Sequence, residues 1–454
     1  MANAKVSDSS RKALSRRIGN SMHSRFAFSV MVRLASLPLA LAVNALVARS
    51  LGVFQYGRYA TLFSATMLLG GMAVGGIRQV VTRGLAAISH SGIAESEPLL
   101  HWAIARMLRT TSFAICVYAV WIAVSKSAPT LGAYFGVVSC GALLIATVAL
   151  CALICGGLSG TGAEQKSQAL PSIVQTAGLL LLFGGAVIVW GPPRVAVEVL
   201  WMQIGGYFIA IALGWIWLRS RIDPRLGTFR IRGGGRNRTD EERQWTKAAR
   251  HFMIFALANQ LNNRFDVVLV SMVSDERTTG IYAAAARLAQ VAMVVALAVN
   301  AILLPMFAAA WGKRDMPQLR RLLRQGLVFT GAVALLQIAI VGLFAPEIVK
   351  IFGKGYAQAA APFLWATVGN ALWSACAPIY SLLSMTGHEK IVAAVSWGVL
   401  AVNASSIFIL VPFMGATGGG VANTLGYAAA LIAFVLMVPR ILRSLQARSR
   451  NEAS

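Results

Sequence analysis

Residues 50–60 read Ser-Leu-Gly-Val-Phe-Gln-Tyr-Gly-Arg-Tyr-Ala, and residues 279–283 read Thr-Gly-Ile-Tyr-Ala. The Gly57-x-Tyr59-Ala60 of the first stretch returns as Gly280-x-Tyr282-Ala283, 223 positions later. A second pair recurs at almost the same distance: Thr161-Gly162-Ala163-Glu164 and Thr386-Gly387-His388-Glu389, offset by 225. Either motif alone is weak. Two of them at nearly one offset indicate a duplicated unit of about half the chain.

What surrounds these motifs says what the unit is. The chain has 454 residues, of which 57% are hydrophobic and only 13% charged, and its mean hydropathy is +0.67. Soluble domains carry about 25% charged residues, so an ordinary cytosolic enzyme is excluded. A bilayer core of roughly 30 Å needs about 20 mostly apolar residues per helix. Runs of that kind, bounded by charge or turn signals, number twelve. Six lie at 26–49, 57–81, 103–125, 130–156, 168–190 and 196–218, and six at 251–273, 279–310, 323–345, 356–384, 390–412 and 416–439. The motif Gly57-x-Tyr59 opens the second span and Gly280-x-Tyr282 the eighth, while the Thr-Gly pairs follow the fourth and tenth. The expected architecture is therefore an all-α polytopic membrane protein of about twelve transmembrane helices in two six-helix pseudo-symmetric bundles. Six is even, so both halves enter from the same side and their pseudo-axis lies along the membrane normal.

Charge orients this arrangement. The formal net charge is +25, from 41 Lys and Arg against 16 Asp and Glu. With the N-terminus in the cytoplasm, 31 of the basic residues fall on the inner side, seven on the outer side and three within spans. That asymmetry is the positive-inside signal and puts both termini in the cytoplasm. A nucleic-acid partner is disfavoured, because such binders keep their charge on a water-soluble surface. Residues 1–25 lack the apolar run of a signal peptide and read as a basic tail near anionic lipid. Residues 26–218 and 251–439 form the two bundles, 219–250 a basic cytoplasmic linker, and 440–454 a second basic tail. The linker contains Gly233-Gly234-Gly235 but no Gly-x-x-x-x-Gly-Lys-Ser/Thr loop, so no nucleotide and no cofactor is implied. The five cysteines all lie in apolar spans, and packing explains Cys151 and Cys155 better than metal binding, there being no His or acid nearby.

Ionisable groups inside spans are costly and point to function. The seventh span is richest: Asn259, Asn262, Asn263 and Asp266 follow i, i+3, i+4, i+7 and make one stripe. Arg264 lies off that stripe, on the side of Gln260, and so does not neutralise Asp266 within the helix. The first span carries Ser29, Arg33 and Ser36 on one face, and the repeat maps Ser36 onto Asn259 and Val43 onto Asp266. Both stripes are expected to face a hydrated cavity between the halves. The eighth span adds Arg287 and Gln290. Asn370, Asn403 and Asn423 are expected to be interhelical hydrogen bonds, and Arg58 and Arg83 interface anchors.

The twelve spans, the Leu51-Gly52-x-x-x-Tyr56-Gly57-x-Tyr59 stretch, the Asp266-bearing seventh helix, Gly280-x-Tyr282-x-x-Ala285 and the Thr-Gly-x-Glu connections resemble the polysaccharide transporters. These include the Wzx-type O-antigen and exopolysaccharide flippases of the multidrug/oligosaccharidyl-lipid/polysaccharide export superfamily, with a MATE-like fold. The resemblance implies alternating-access flipping of a polyprenyl-pyrophosphate-linked oligosaccharide, with membrane lipids and a polysaccharide polymerase as partners. Arg33, Arg264 and Arg287 would hold the pyrophosphate, since arginine offers planar multi-donor phosphate recognition. Asn259, Asn262, Asn263 and Gln290 would line the sugar path, and Asp266 would couple an ion or support an arginine. A multidrug or cation antiporter of the same superfamily is the alternative, although its cationic cargo favours carboxylates and the first span has none. A lipid II flippase commonly adds two helices to the twelve. A major-facilitator transporter would show its Gly-x-x-x-Asp-Arg motif within 83–101, which is absent. A membrane-embedded glycosyltransferase, ligase or polymerase would need a large loop with catalytic groups, so enzyme chemistry is disfavoured.

Overall fold

The computed structural model describes residues 2–88, 96–125, 130–220 and 240–451, with side chains from residue 36 onward apart from scattered positions. Among the described residues the regular structure is helical, with no strand. The first half comprises α1 (Ala2–Ala73), α2 (Ile77–Ile88), α3 (Ser96–Val124), α4 (Leu131–Gly160), α5 (Glu164–Ala169), α6 (Gln175–Val189) and α7 (Ala196–Arg219). The second comprises α8 (Asp240–Val273), α9 (Glu276–Ala289), α10 (Met293–Gly312), α11 (Met316–Val349), α12 (Ala360–Ala375), α13 (Ala377–Met385), α14 (Glu389–Met414) and α15 (Ala416–Asn451).

Helix count and span count differ for a physical reason. Eight helical stretches among the described residues are long and apolar enough to cross a bilayer. One of these, Ser36–Ala73, takes in parts of both the first and the second expected span. They are joined without a loop through Gly52, whose φ of 68° and ψ of 173° break the helix at a position only glycine occupies without strain. Three expected spans fall outside the eight. The spans at 279–310 and 356–384 are each split into two helices, α9–α10 and α12–α13, and α8 has a polar first half. Two further interruptions are the turn at 74–76 between α1 and α2, where Gly76 has φ of 81°, and a π-turn at Leu170–Val174, whose Pro171 has no N–H to continue the ladder between α5 and α6.

Breaks inside a membrane protein expose carbonyls that must find donors. The 3₁₀ turn Gln290–Ala292 between α9 and α10 is served from α12. Asn370 Nδ2 donates to Ala289 O at 2.8 Å, and Ser374 Oγ donates to Ala292 O at 3.2 Å. Asn370 thus makes the interhelical bond expected of it. Replacing Asn370 with leucine should lower the unfolding free energy by about 1–3 kcal/mol, because a buried carbonyl loses its donor. Thermal unfolding of the detergent-solubilised protein checks this.

The two Thr-Gly repeats are one device. Gly162 and Gly387 sit at φ of +76° and +79°, just beyond α4 and α13. In each, the next amide reaches back to the helix: Ala163 N to Leu158 O at 2.8 Å, and His388 N to Leu383 O at 3.0 Å. These are matching Schellman caps, which explains why the sequence keeps Thr-Gly at both places.

Residues 221–239 lie outside those described, while α8 starts at Asp240, ahead of the expected boundary at 251. Its first turns dock on α2 and α3: Trp102 Nε1 donates to Thr246 Oγ1 at 3.2 Å, and the Trp102 and Trp245 rings lie 5.9 Å apart. Arg83 stacks its guanidinium 4.4 Å from the Phe252 ring centroid. Helix α1 includes the residues of the basic tail, and α15 runs to Asn451.

Candidate functional site

The hydrophobic core shows where the halves join. At the end carrying Gly52 and Gly280, one continuous core draws on α1, α3, α4 and α7 together with α8, α9, α12 and the ends of α11 and α14. At the opposite end the core divides. One cluster belongs to α10–α15 alone, and another to α2, α3 and α4 with Ala249 of α8. One end joins both halves in a single core; at the other, α8 crosses to α2 and α3 while α10–α15 pack by themselves.

The fused end is built around the repeated motif. A Cβ on Gly57 would fall on the carbonyl oxygen of Glu276, and one on Gly280 would fall on that of Val53. Val53 and Glu276 are themselves related by the 223-residue offset, so this is one backbone contact seen from both halves. Beside it Tyr56 packs edge-on against Phe352 and Tyr356, with centroids 6.2 and 5.9 Å away. Two cross-half hydrogen bonds complete the seal: Tyr356 Oη donates to Ala48 O at 3.2 Å, and Arg49 Nε donates to Ile351 O at 2.8 Å. At the connection itself Asp275 caps α9 by accepting from Thr278 N at 3.1 Å. Hydrogen bonding from the Thr278 side chain first, then from its amide, with Arg277 nearby, outweighs partial burial and holds the carboxyl below the usual range. The cap therefore stabilises α9 above the ordinary carboxylate pKa and is lost as pH falls through the lowered one. Asp275→Ala should loosen α9 by about 1 kcal/mol, read as faster hydrogen exchange at residues 276–279.

Below this seal lie the intramembrane charges. Arg264 and Asp266 come from α8 and Arg287 from α9, and the three lie within electrostatic range of one another. Asp266 is engaged by its surroundings: Oδ2 accepts from Tyr282 Oη at 2.7 Å and Oδ1 from Val267 N at 2.8 Å. Arg287 Nη1 donates to Gln290 Oε1 at 3.1 Å. Arg264 stacks 5.3 Å from the Phe63 centroid, and its Nη1 is buried without a hydrogen-bond partner. Among the described residues, two guanidiniums against one carboxylate leave this junction net positive, with one buried donor unpaired.

Other expected site residues are placed differently. Asn262 Nδ2 donates to Ser396 O of α14 at 3.2 Å, so this amide links two helices of the second half. The side chains of Arg33, Asn259 and Asn263 lie outside the described set. Sequence reading passed over the tyrosines. Tyr282 holds Asp266, and its repeat equivalent Tyr59 accepts from Gln203 Nε2 at 2.8 Å, with Gln175 Nε2 donating to Gln203 Oε1 at 2.6 Å. The repeat had marked both positions; what it lacked was any sign that their hydroxyls serve the buried polar groups.

Fold and junction together define a transporter class: two helical halves, fused at one end, with charge at their meeting line. The chain belongs to the polysaccharide biosynthesis protein family, whose model matches residues 24–311. No curated protein sequence matches it. Among solved structures it is similar to the inward-facing conformation of a multidrug resistance MATE family transporter of the MOP superfamily. That match has a TM-score of 0.71 at 14% identity, covering 92% of this chain and 99% of that one. It is similar also to the lipid II flippase MurJ in an inward closed conformation, with a TM-score of 0.70 at 15% identity over 93% and 90% of the two chains. An outward-facing MATE structure scores 0.58 at 14% identity over 92% and 96%. The fold is the one shared by these MATE and MurJ structures.

Proposed function

We propose that this protein flips a polyprenyl-pyrophosphate-linked oligosaccharide across a bacterial inner membrane, from the inner to the outer leaflet, for polysaccharide biosynthesis. The observation that carries the reading is the pair Arg264 and Arg287 set against the already engaged Asp266. A pyrophosphate entering a low-dielectric interior requires compensating charge, and a guanidinium with an open Nη1 supplies both charge and directed donors. Arg33 would add a third cation from α1. The lipid tail stays in the bilayer while the headgroup passes between the halves. The family membership and the shared fold support the transport class. The positive-inside count supports cytoplasmic termini, with the Gly52 end facing outward and the divided end open to the cytoplasm. Alternating access then means breaking the Gly57–Gly280 end while the divided end closes. A polymerase acting on the outer leaflet is the expected downstream partner.

The second reading, a multidrug or cation antiporter, rests on the MATE match being as good as the flippase match, 0.71 against 0.70. Proteoliposomes separate the two. A fluorescent polyprenyl-pyrophosphate oligosaccharide should become accessible to external dithionite faster with protein than without, while ethidium should not accumulate against a proton or sodium gradient. Ethidium exchange without lipid flipping would overturn the flippase reading.

A further inference from the structure

A cavity of about 360 Å³ lies at the fused end, apart from the charged junction, with none of Arg264, Asp266 or Arg287 in its wall. Its volume is at the low end of ligand pockets, roughly 300–1,000 Å³. Both halves build it. Arg58 and Thr61 come from α1, Trp121 and the exposed Ser125 from the end of α3, and Ser271 and Glu276 from the second half. The chemistry of this wall is selective. Hydroxyls predominate among its polar groups, Trp121 offers an aromatic surface beside Leu62, Val124 and Met272, and Arg58 and Glu276 are its one cation and one anion, so that the net charge is zero. Ser125 Oγ and Ser271 Oγ already donate to Ile122 O and Val268 O, so what they offer a ligand is an acceptor oxygen. A simple anion would meet Glu276, and a cationic drug would meet Arg58. A neutral sugar meets neither repulsion: its hydroxyls can donate to Thr61, Ser125 and Ser271, and its apolar C–H face suits the Trp121 ring.

The geometry points to a saccharide-binding site at the fused end, bridging the two halves, whose occupancy holds that end shut. A ligand that touches both halves only when they are together stabilises the joined state by its differential affinity. On the topology proposed above this end faces outward, so sugar outside the membrane would slow the transporter; this second consequence rests on the flippase reading.

The test uses the purified full chain with radiolabelled N-acetylglucosamine as probe and glucose as competitor. Saturable binding in the millimolar range is expected, weakened at least tenfold in Trp121→Ala and in Ser271→Ala with unfolding temperatures retained. Absence of saturable binding, or equal binding in both variants, overturns the site. In oriented proteoliposomes, N-acetylglucosamine on the outer-facing side should slow flipping by the wild type several-fold and leave Trp121→Ala unaffected. Binding with undiminished flipping overturns the closure. A protein that binds sugar but never flips the lipid-linked substrate overturns the flippase reading alone, since the binding measurement needs no lipid.

Discussion

Replacing Arg264 with methionine should abolish most flipping and leave the protein as stable as before. The two halves of that expectation have one source. Arg264 Nη1 is buried with no partner, so its removal orphans no acceptor in the fold. Its stacking on Phe63 is replaced by an apolar chain of similar reach. Its repulsion with nearby Arg287 disappears as well. Against this, a translocating pyrophosphate loses a charge-assisted bond worth about 1.5–3 kcal/mol, a rate loss of about 10- to 150-fold. Arg264→Lys keeps the charge but not the planar fork and should fall between. Arg287→Met should also slow flipping, and in addition releases Gln290 from its bond. The measurement is the initial flipping rate in proteoliposomes, set beside the unfolding temperature of each variant. Wild-type rates in both the Arg264 and Arg287 variants would sink the cationic-junction model, and a rate loss matched by a lowered unfolding temperature would reduce it to a folding defect.

The second large effect is expected at Gly57 and Gly280. In an isolated helix, replacing glycine with alanine stabilises by about 0.5–1 kcal/mol. Here the sign should reverse, because the added carbon meets the backbone of the other half: Glu276 O against Gly57, Val53 O against Gly280. Backbone cannot rotate away as a side chain can. Gly57→Val or Gly280→Val should cost the joined state about 1–3 kcal/mol or more, shifting its population by about 5- to 150-fold. Spin labels at Phe54 and Arg277, both exposed at this end, should then report longer distances than in the wild type. Because the two glycines occupy equivalent places, the two variants should shift the distance alike. An unchanged distribution would remove this contact from the closing mechanism.

Much of this protein was legible before folding because its signals are local. Apolar span length and the Thr-Gly caps are properties of a few consecutive residues, and each reappears as helix or cap. The broken spans were harder to read. Hydropathy reports apolar length and is blind to a turn such as Gln290–Ala292, whose cost is met by Asn370 and Ser374 some eighty residues away. The polar stripe on α8 was visible as a stripe, yet Asn262 turned to the α14 backbone while Asp266 met Tyr282. Periodicity fixes the face a residue occupies on its own helix and carries no information about which helix will cross that face.

By itself, then, the sequence determined the class, the duplication, the orientation signal and the short set of charges that lie within spans, since each follows from composition, spacing or side-chain type. Tertiary structure alone decided that the repeated Gly-x-Tyr motifs meet each other and close one end. It alone decided, too, that Asp266 is satisfied while Arg264 keeps an open donor. The reason is that contact and hydrogen-bond satisfaction depend on which helices cross, from neighbours such as α8 and α9 to partners more than two hundred residues apart, and that crossing is set by packing of the whole bundle.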